Sequence, residues 1–464
     1  VTRTVRLRFD RGTLVIDADD LDFARQLDPG PPFVWDERVS RWRSSADAYR
    51  DVFAALTRRS RQGEFALVDE ARTYREFSAP RRAVRHPRDY QTEALAAWSA
   101  QGRRGIVVLP TGAGKSLVAQ LAIADAKRSA LVVVPTLDLM AQWYDGLLAA
   151  FDVEEVGLMG GGSHDVRDLT VTTYDSFCIH AERIGDRFGL IVFDEVHHLP
   201  GPSYLAAAAS MLAPFRLGLT ATLERPDGRH LALDQAVGSV AYRREIKELA
   251  GDFLADYEVE RVSVRLDDDE RAAYDSARAE YVGFLKRSGV RLSDGGWTKF
   301  LQVASRTREG RAALRAYRDQ RRIALTCHAK IDFVERLLHQ HANDQVLLFT
   351  NDNATVYALS RRFLIPAITH QTAVRERREI LQRFLAGTYR VVITSRVLNE
   401  GVDVPAANVA VVLSGSGSVR EHVQRLGRIL RKDGEKRALL YELIAEATVE
   451  EFVSERRRDH DAYR

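Results

Sequence analysis

Cysteine, methionine and lysine are scarce in this chain. Two cysteines in 464 residues, Cys178 and Cys327, exclude a disulfide framework and a cysteine-rich zinc cluster, and both sit in apolar stretches that suit small core residues. No eighteen apolar residues run uninterrupted, and the opening "VTRTVRLRFD" alternates polar with apolar side chains. Neither a transmembrane segment nor a hydrophobic signal region is therefore expected. These absences point to a reducing, cytoplasmic setting. Of 68 basic residues only eight are lysine, so each lysine that persists is informative. There is also little excess charge: +3 overall permits a nucleic-acid partner without demanding one.

Alternation is what the chain has instead, over a length that suggests about three domains. The first 80 residues read as short strands ("TVRLRF", "GTLVID"), a turn-rich "LDPGPPFVW" and one helix near "SADAYRDVFAALTRR", a small α+β module. Beyond "SAPRRAVRHP" the apolar runs "RGIVVLP", "SALVVVP", "LTVTTY" and "FGLIVFDE" alternate with helical segments. That is the pattern of a parallel sheet with helices on both faces. It stops at the strand "YEVERVSVRL", followed by a charged helix, a polar loop holding Trp297 and Phe300, and a second helix "EGRAALRAYRDQRRIAL". Strand signals resume with "DQVLLFT", "YRVVITS", "ANVAVVLS" and "ALLYELI". The expected class is α/β, two parallel-sheet domains in tandem with a small N-terminal α+β domain and a helical insertion. The boundaries read as 1–80, 81–243 and 244–464, with the insertion over 267–325.

The strand "GIVVLP" runs into "PTGAGKS", residues 110–116, and then into a helix. This order wraps the backbone N–H groups of Thr111, Gly112, Ala113 and Gly114 around a phosphate at a helix N-terminus, where the dipole favours anions. Lys115 would reach the β and γ phosphates of ATP and Ser116 would ligate Mg²⁺. Leu109 stands where the strict pattern has glycine. Further on, "FDEVHHLP" ends another buried strand, so Asp194 and Glu195 emerge on the edge where such sheets bind ligands. Asp194 would hold Mg²⁺ through water and Glu195 would polarise the attacking water. Zinc chemistry would need two histidines on one helical face; adjacent His197 and His198 before Pro200 point apart. His197 fits a coupling role towards Thr220 and Thr222 of "LGLTATLERPDGRH".

The ordered series "RDYQ", "PTGAGKS", "VVPTLDLMAQW", "VTTYDS", "DEVH", "TAT", "LLFT", "VLNEGVDVP" and "QRLGRILR" resembles superfamily 2 helicases. With "DRGTLVID", "PFRLGLTAT", "FLIPAITH" and "SGSGSVREHVQRLGRILR", it resembles more narrowly the archaeal form of the XPB (xeroderma pigmentosum group B) helicase family. The resemblance implies two RecA-like domains acting on ATP, a damage-recognition-like N-terminal domain, and a helical thumb that grips DNA, with Phe284, Trp297 and Phe300 as candidate contacts and core packing as the alternative role of each. It assigns Arg88, Gln91, Gly401 and Asp403, with Asn399 and Glu400 nearby, to the nucleotide, and Gln424, Arg428 and Arg431 to catalysis. DNA-backbone contacts fall to Thr136, Thr173, Thr350 and Thr394. Family members carry an Arg-Glu-Asp loop after "TAT"; here it reads Arg225, Pro226, Asp227, which removes a carboxylate and fixes φ where unwinding is expected to depend on it.

The reading that follows is an ATP-dependent 3′ to 5′ DNA helicase or duplex translocase for excision repair or transcription, acting at the nucleoid on single-stranded, forked or duplex DNA, with a nuclease or a repair or transcription protein as partner. Two alternatives stay open: a motor subunit like those of restriction systems, and a DNA-binding scaffold switched by ATP.

Overall fold

Strands covered on both faces must be apolar throughout, and runs of that kind build the two large sheets of the computed structural model. It describes the chain apart from residues 1–2, 31, 83–85, 224–227, 250–255, 291–295, 396–406, 414–436 and 452–464. Two units separate by their internal contacts, Val1–Glu245 and Ile246–Arg464.

The first unit opens with β1 (Thr4–Asp10), β2 (Thr13–Ala18), β3 (Val34–Asp36), β4 (Arg41–Ser45) and β5 (Ala66–Glu70), ordered β3-β4-β2-β1-β5. Val5, Leu7, Leu14 and Ile16 pack against Tyr49, Val52 and Leu56 of the helix Tyr49–Arg61. The same cluster takes in Leu212 of the following α/β layer, and Arg50 Nη1 donates to the Gly102 carbonyl at 2.7 Å. The small module is thus seated on its neighbour.

That neighbour contains β6 (Arg104–Val108), β7 (Ala130–Val134), β8 (Gly157–Gly160), β9 (Ser163–His164), β10 (Leu169–Thr173), β11 (Leu190–Asp194), β12 (Phe215–Thr220) and β13 (Val240–Arg243). The order is β13-β6-β12-β11-β7-β10-β8-β9, parallel except where β8 and β9 form a hairpin. Because β12 lies between β6 and β11, the segments leaving these three strands share one carboxyl edge. Arg216 of β12 is fully buried and donates to the carbonyls of Ala208, Met211, Ala213 and Ala236. Burial pushes its pKa down to about 9, and four acceptors holding the cation oppose that.

The second unit carries β14 (Asp256–Val264), β15 (Val346–Phe349), β16 (Ala367–Ile368), β17 (Val391–Thr394), β18 (Val409–Val412) and β19 (Arg437–Ala445), in the order β14-β19-β18-β15-β17-β16 with every pair parallel. Between β14 and β15 stand the helices Asp268–Ser288, Gly296–Arg306, Arg308–Thr326 and His328–Gln340. The first starts on a capping box, with Asp267 and Glu270 each accepting the other's backbone N–H. The polar loop expected around Trp297 and Phe300 is instead the helix Gly296–Arg306: Phe300 and Ala304, one turn apart, are both buried against Tyr281 and Phe284. No described helix is long and apolar enough to cross a membrane.

Candidate functional site

Past β6 the chain turns through residues 109–114 into the helix Lys115–Ala126. The turn uses two left-handed residues, Gly112 at φ +87° and Gly114 at φ +77°. At Gly114 a Cβ would stand 2.5 Å from Gln91 Nε2, so glycine is needed there for space as well as for φ. Gln91 reaches the loop from the helix Asp89–Ala100. Its Oε1 accepts the Arg88 backbone N–H at 2.9 Å, and its Nε2 donates to the carbonyls of Ala113 at 2.9 Å and Gly114 at 3.4 Å. Tyr90 donates its hydroxyl to the same Ala113 carbonyl at 2.8 Å. Gln91 therefore braces the loop, while Arg88 is exposed. Lys115 directs its ammonium to the carbonyls of Leu109 at 3.2 Å and Pro110 at 3.4 Å, and Ser116 is exposed in the first turn of the helix. Thr111 Oγ1 is buried and makes no hydrogen bond among the described residues. A bare glycine loop, an accessible helix start, one lysine and a spare hydroxyl fit the phosphates of a nucleoside triphosphate.

β11 ends at Asp194, and Glu195 then adopts φ +48°, a left-handed conformation that costs a non-glycine residue about 1–2 kcal/mol. Strain of this kind gathers at functional sites. Asp194 and Glu195 are 6% and 7% exposed. The Asp194 carboxylate is gripped from two sides: Oδ1 accepts the Glu195 N–H at 3.0 Å and Oδ2 accepts the Trp143 indole N–H at 2.7 Å. Tyr174 donates its hydroxyl to the Asp194 carbonyl at 3.1 Å.

His197 is fully buried, with Nδ1 at 3.0 Å from Thr220 Oγ1 and 3.4 Å from Glu195 Oε2. The Thr220 hydroxyl donates to the Thr222 carbonyl at 2.8 Å, so it accepts from His197 and the proton sits on Nδ1. One imidazole thus joins the acidic box to the end of β12. Glu195 Oε2 and Thr222 Oγ1 are buried without a hydrogen bond among the described residues, an arrangement suited to water or another polar ligand. The rings of His197 and His198 lie 4.5 Å apart at 36°. They do not diverge as expected, because the tight turn Val196–His198 folds them together. Metal-ligating atoms do not converge here in a group of three; among the described residues they do so at Asp267, Glu270 and His328.

The expected DNA contacts divide. Thr136 and Thr173 cap the helices Leu137–Ala150 and Tyr174–Ile184, accepting the N–H of Leu139 at 3.2 Å and of Ser176 at 3.3 Å. Thr350 and Thr394 are fully buried, and their hydroxyls donate to the carbonyls of Asp352 at 3.0 Å and Ser395 at 3.3 Å. Phe300, at 0% exposure, takes the core-packing alternative in the helical arm, and Phe284 beside it is buried too. Extracting such a ring costs about 1.5–3 kcal/mol, as much as a stacked base returns. Trp297, 38% exposed, stays accessible. Arg225, Pro226, Asp227, Asn399, Glu400, Gly401, Asp403, Gln424, Arg428 and Arg431 lie outside the described residues. Sequence reasoning passed over Tyr90, Trp143 and Tyr174. The signal for Trp143 is an indole seven residues into a helix that directly follows a buried strand.

Three family models match the chain: the xeroderma pigmentosum group B helicase damage recognition domain over residues 7–65, the type III restriction enzyme res subunit over 85–225, and the helicase conserved C-terminal domain over 329–433. The chain is 38% identical over 459 residues to the DNA 3′-5′ translocase XPB2 of Sulfurisphaera tokodaii, covering 98% of this chain and 100% of that protein. It is 33% identical to the DNA 3′-5′ helicase XPB of Kineococcus radiotolerans over 75% of this chain and 58% of that one. With the general transcription and DNA repair factor IIH helicase/translocase subunit XPB2 of Arabidopsis thaliana it shares 27% identity, over 80% of this chain and 48% of that one. The chain thus spans the whole of the first relative and only part of the other two. Among solved structures, the Hef helicase domain of Pyrococcus furiosus superposes with a TM-score of 0.52 at 18% identity, covering 80% of this chain and 98% of that one. Dbp5 of S. cerevisiae bound to RNA and ADP BeF3 gives 0.56 at 13% identity, covering 82% and 89%. At such identities the likeness establishes the fold alone, two RecA-like helicase domains.

Proposed function

The chain belongs to the XPB family of superfamily 2 helicases, and from that membership we propose that it is an ATP-driven 3′ to 5′ DNA translocase or helicase that opens duplex DNA in nucleotide excision repair or transcription. The observation that carries the reading is the joining of a phosphate loop and an acidic box on one sheet edge, with His197 hydrogen-bonded onward to Thr220. In this reading residues 1–80 are the damage-recognition-like domain, 81–243 and 244–464 the two RecA-like domains, and 267–325 the thumb.

The backbone of Thr111–Gly114 and the Lys115 ammonium hold the triphosphate. Ser116 and Asp194 would hold Mg²⁺, which when bound neutralises charge on the β and γ phosphates. Glu195, its Oε2 uncommitted to any hydrogen bond among the described residues, orients the attacking water and takes up its proton. His197 transmits the state of that carboxylate through Thr220 and Thr222 towards residues 224–227. Gly401 and Asp403 are assigned to the nucleotide, and Gln424, Arg428 and Arg431 to the transition state, where arginine fingers contribute about 10³–10⁵ in rate.

For DNA, Thr136 and Thr173 with the helix N-termini they cap suit backbone phosphates. A further surface supports the thumb assignment. Arg308, Arg311, Arg315, Arg318 and Arg322 are all exposed and fall within about 80° of arc at ~100° per residue. Among the described residues only Arg322 of these five has a carboxylate within ion-pair distance, Asp319 at 3.9 Å. Five aligned guanidinium groups suit a phosphate backbone better than the buried Phe300 does. The match of residues 85–225 to a restriction-enzyme subunit favours, as second reading, a motor within a nuclease-coupled complex. Such a nuclease, or a repair or transcription protein, is the partner class proposed, with the nucleoid as the place of action.

The test is ATPase activity with no nucleic acid, single-stranded DNA, forked DNA and RNA, alongside fork unwinding. DNA is expected to stimulate hydrolysis; a rate indifferent to every DNA sinks the reading. Stimulation without unwinding selects the duplex translocase. Pro226→Glu, restoring the family's carboxylate, is expected to raise unwinding.

A further inference from the structure

We propose that Trp143 is a positioning residue that couples nucleic-acid contact at Thr136 to the Asp194 carboxylate, with Tyr174 as a parallel link from Thr173. The inference rests on the DNA-dependent ATPase reading above and names the part of the fold that makes hydrolysis respond to DNA.

Two helices begin at the candidate phosphate contacts. The helix Leu137–Ala150 is capped by Thr136 and carries Trp143 seven residues on, about 10 Å along its axis. The helix Tyr174–Ile184 is capped by Thr173, and its first residue is Tyr174. These helices follow β7 and β10, adjacent strands, and β7 in turn pairs with β11, which ends at Asp194. Side chains from both helices converge on that aspartate: the Trp143 indole donates to Oδ2 at 2.7 Å, and the Tyr174 hydroxyl donates to its carbonyl at 3.1 Å. Trp143 and Tyr174 are 3% and 2% exposed, so neither bond competes with bulk water.

The choice of acceptor separates this indole from those of Trp42 and Trp98. Trp42 donates to the Ala24 carbonyl and Trp98 to the Arg216 carbonyl, uses that merely satisfy a buried N–H. Trp143 places its single N–H on an ionisable oxygen of the hydrolysis machinery, at a length typical of a charge-assisted bond. With Oδ1 held by the Glu195 N–H, the two donors fix the carboxylate's rotation from two separate segments. A shift of the Leu137–Ala150 helix, produced when a phosphate engages its N-terminus, therefore turns Asp194 as well. The rigid indole transmits that shift because it has few torsions in which to absorb it.

Trp143→Phe keeps most of the ring and removes the donor. The readout is the ratio of ATPase rates with and without saturating single-stranded DNA, with KM for ATP followed in parallel. The ratio is expected to fall about tenfold, the rate equivalent of one charged hydrogen bond, while KM for ATP, set by the phosphate loop, changes far less. Tyr174→Phe removes the second donor and is expected to lower the ratio less, by about threefold for a neutral bond. If Trp143→Phe does not fold, Tyr174→Phe decides by the same ratio. Equal losses with and without DNA, or an unchanged ratio in a wild type that DNA stimulates, overturn the coupling alone. A wild type whose ATPase ignores DNA removes the functional reading and the coupling together.

Discussion

Among the described residues, polar atoms past the strand ends of the two parallel sheets are used differently. In the first unit, polar atoms past the strand ends remain uncommitted: Thr111 Oγ1, Glu195 Oε2 and Thr222 Oγ1 are buried without hydrogen bonds among the described residues. In the second unit the strand-end hydroxyls of Thr350 and Thr394 are consumed by the carbonyls of their own turns. Both scaffolds offer a ligand crevice; in the first unit the unspent atoms lie among the phosphate-loop and acidic-box residues and at Thr222.

The buried cations differ in their acceptors. Arg216 in the first unit is held by four carbonyls and, among the described residues, no carboxylate. Lys330 in the second, fully buried, donates to the Leu413 carbonyl at 2.7 Å and to Glu450 Oε2 at 2.6 Å.

Substitutions can break or sharpen this contrast. Within this comparison the largest effect after loss of the Glu195 carboxylate is expected from Gly114→Ala, which forces a Cβ onto Gln91 and an alanine into a left-handed φ. Its kcat/KM for ATP should fall about 100-fold, as misplacement near 1 Å commonly costs; near-normal kinetics would show that Gln91 does not shape the loop. Next is Lys330→Met, which leaves the Glu450 carboxylate buried without its cation and should cost about 3–5 kcal/mol in urea unfolding. Adding Glu450→Gln should return much of that, and no recovery would mean the pair is not the source of the loss.

Thr394→Val sharpens the comparison from the other side. A hydroxyl spent within its own turn should cost about 1 kcal/mol of stability and leave DNA affinity nearly unchanged; a clear loss of affinity would restore the phosphate contact. The smallest effect concerns His328, whose pKa is raised above the usual histidine value, chiefly by its hydrogen bond to Asp267 and then by the charge of Glu270. A pKa raised by folding gives stability that is complete below the unfolded value near 6.5 and is lost as pH climbs through the folded value. Because His328 is exposed, Tm should drop only slightly between pH 6 and pH 8, and His328→Asn should remove its share of that drop.

Much of the fold was legible because doubly covered strands are continuous apolar runs: "GIVVLP" and "GLIVF" could be little else, and they are β6 and β11. The helix Gly296–Arg306 was not, since its glycine-rich approach and polar composition read as loop while its burial depends on Tyr281 and Phe284 from another helix. At the site, loop and acidic box were legible from residue order. Trp143 was hidden because its bond to Asp194 spans 51 positions and depends on two strands pairing. Thr350 and Thr394 show the converse: a hydroxyl at a strand end looks the same in sequence whether it faces solvent or its own turn.

The central claim, that the first unit's acidic box performs ATP hydrolysis in response to DNA, is tested most directly by the DNA-stimulated ATPase rate of Glu195→Gln. With ATP and DNA binding retained, turnover should fall by about 10³, within the range general-base removal produces; a variant that still hydrolyses ATP at the DNA-stimulated wild-type rate would contradict the account.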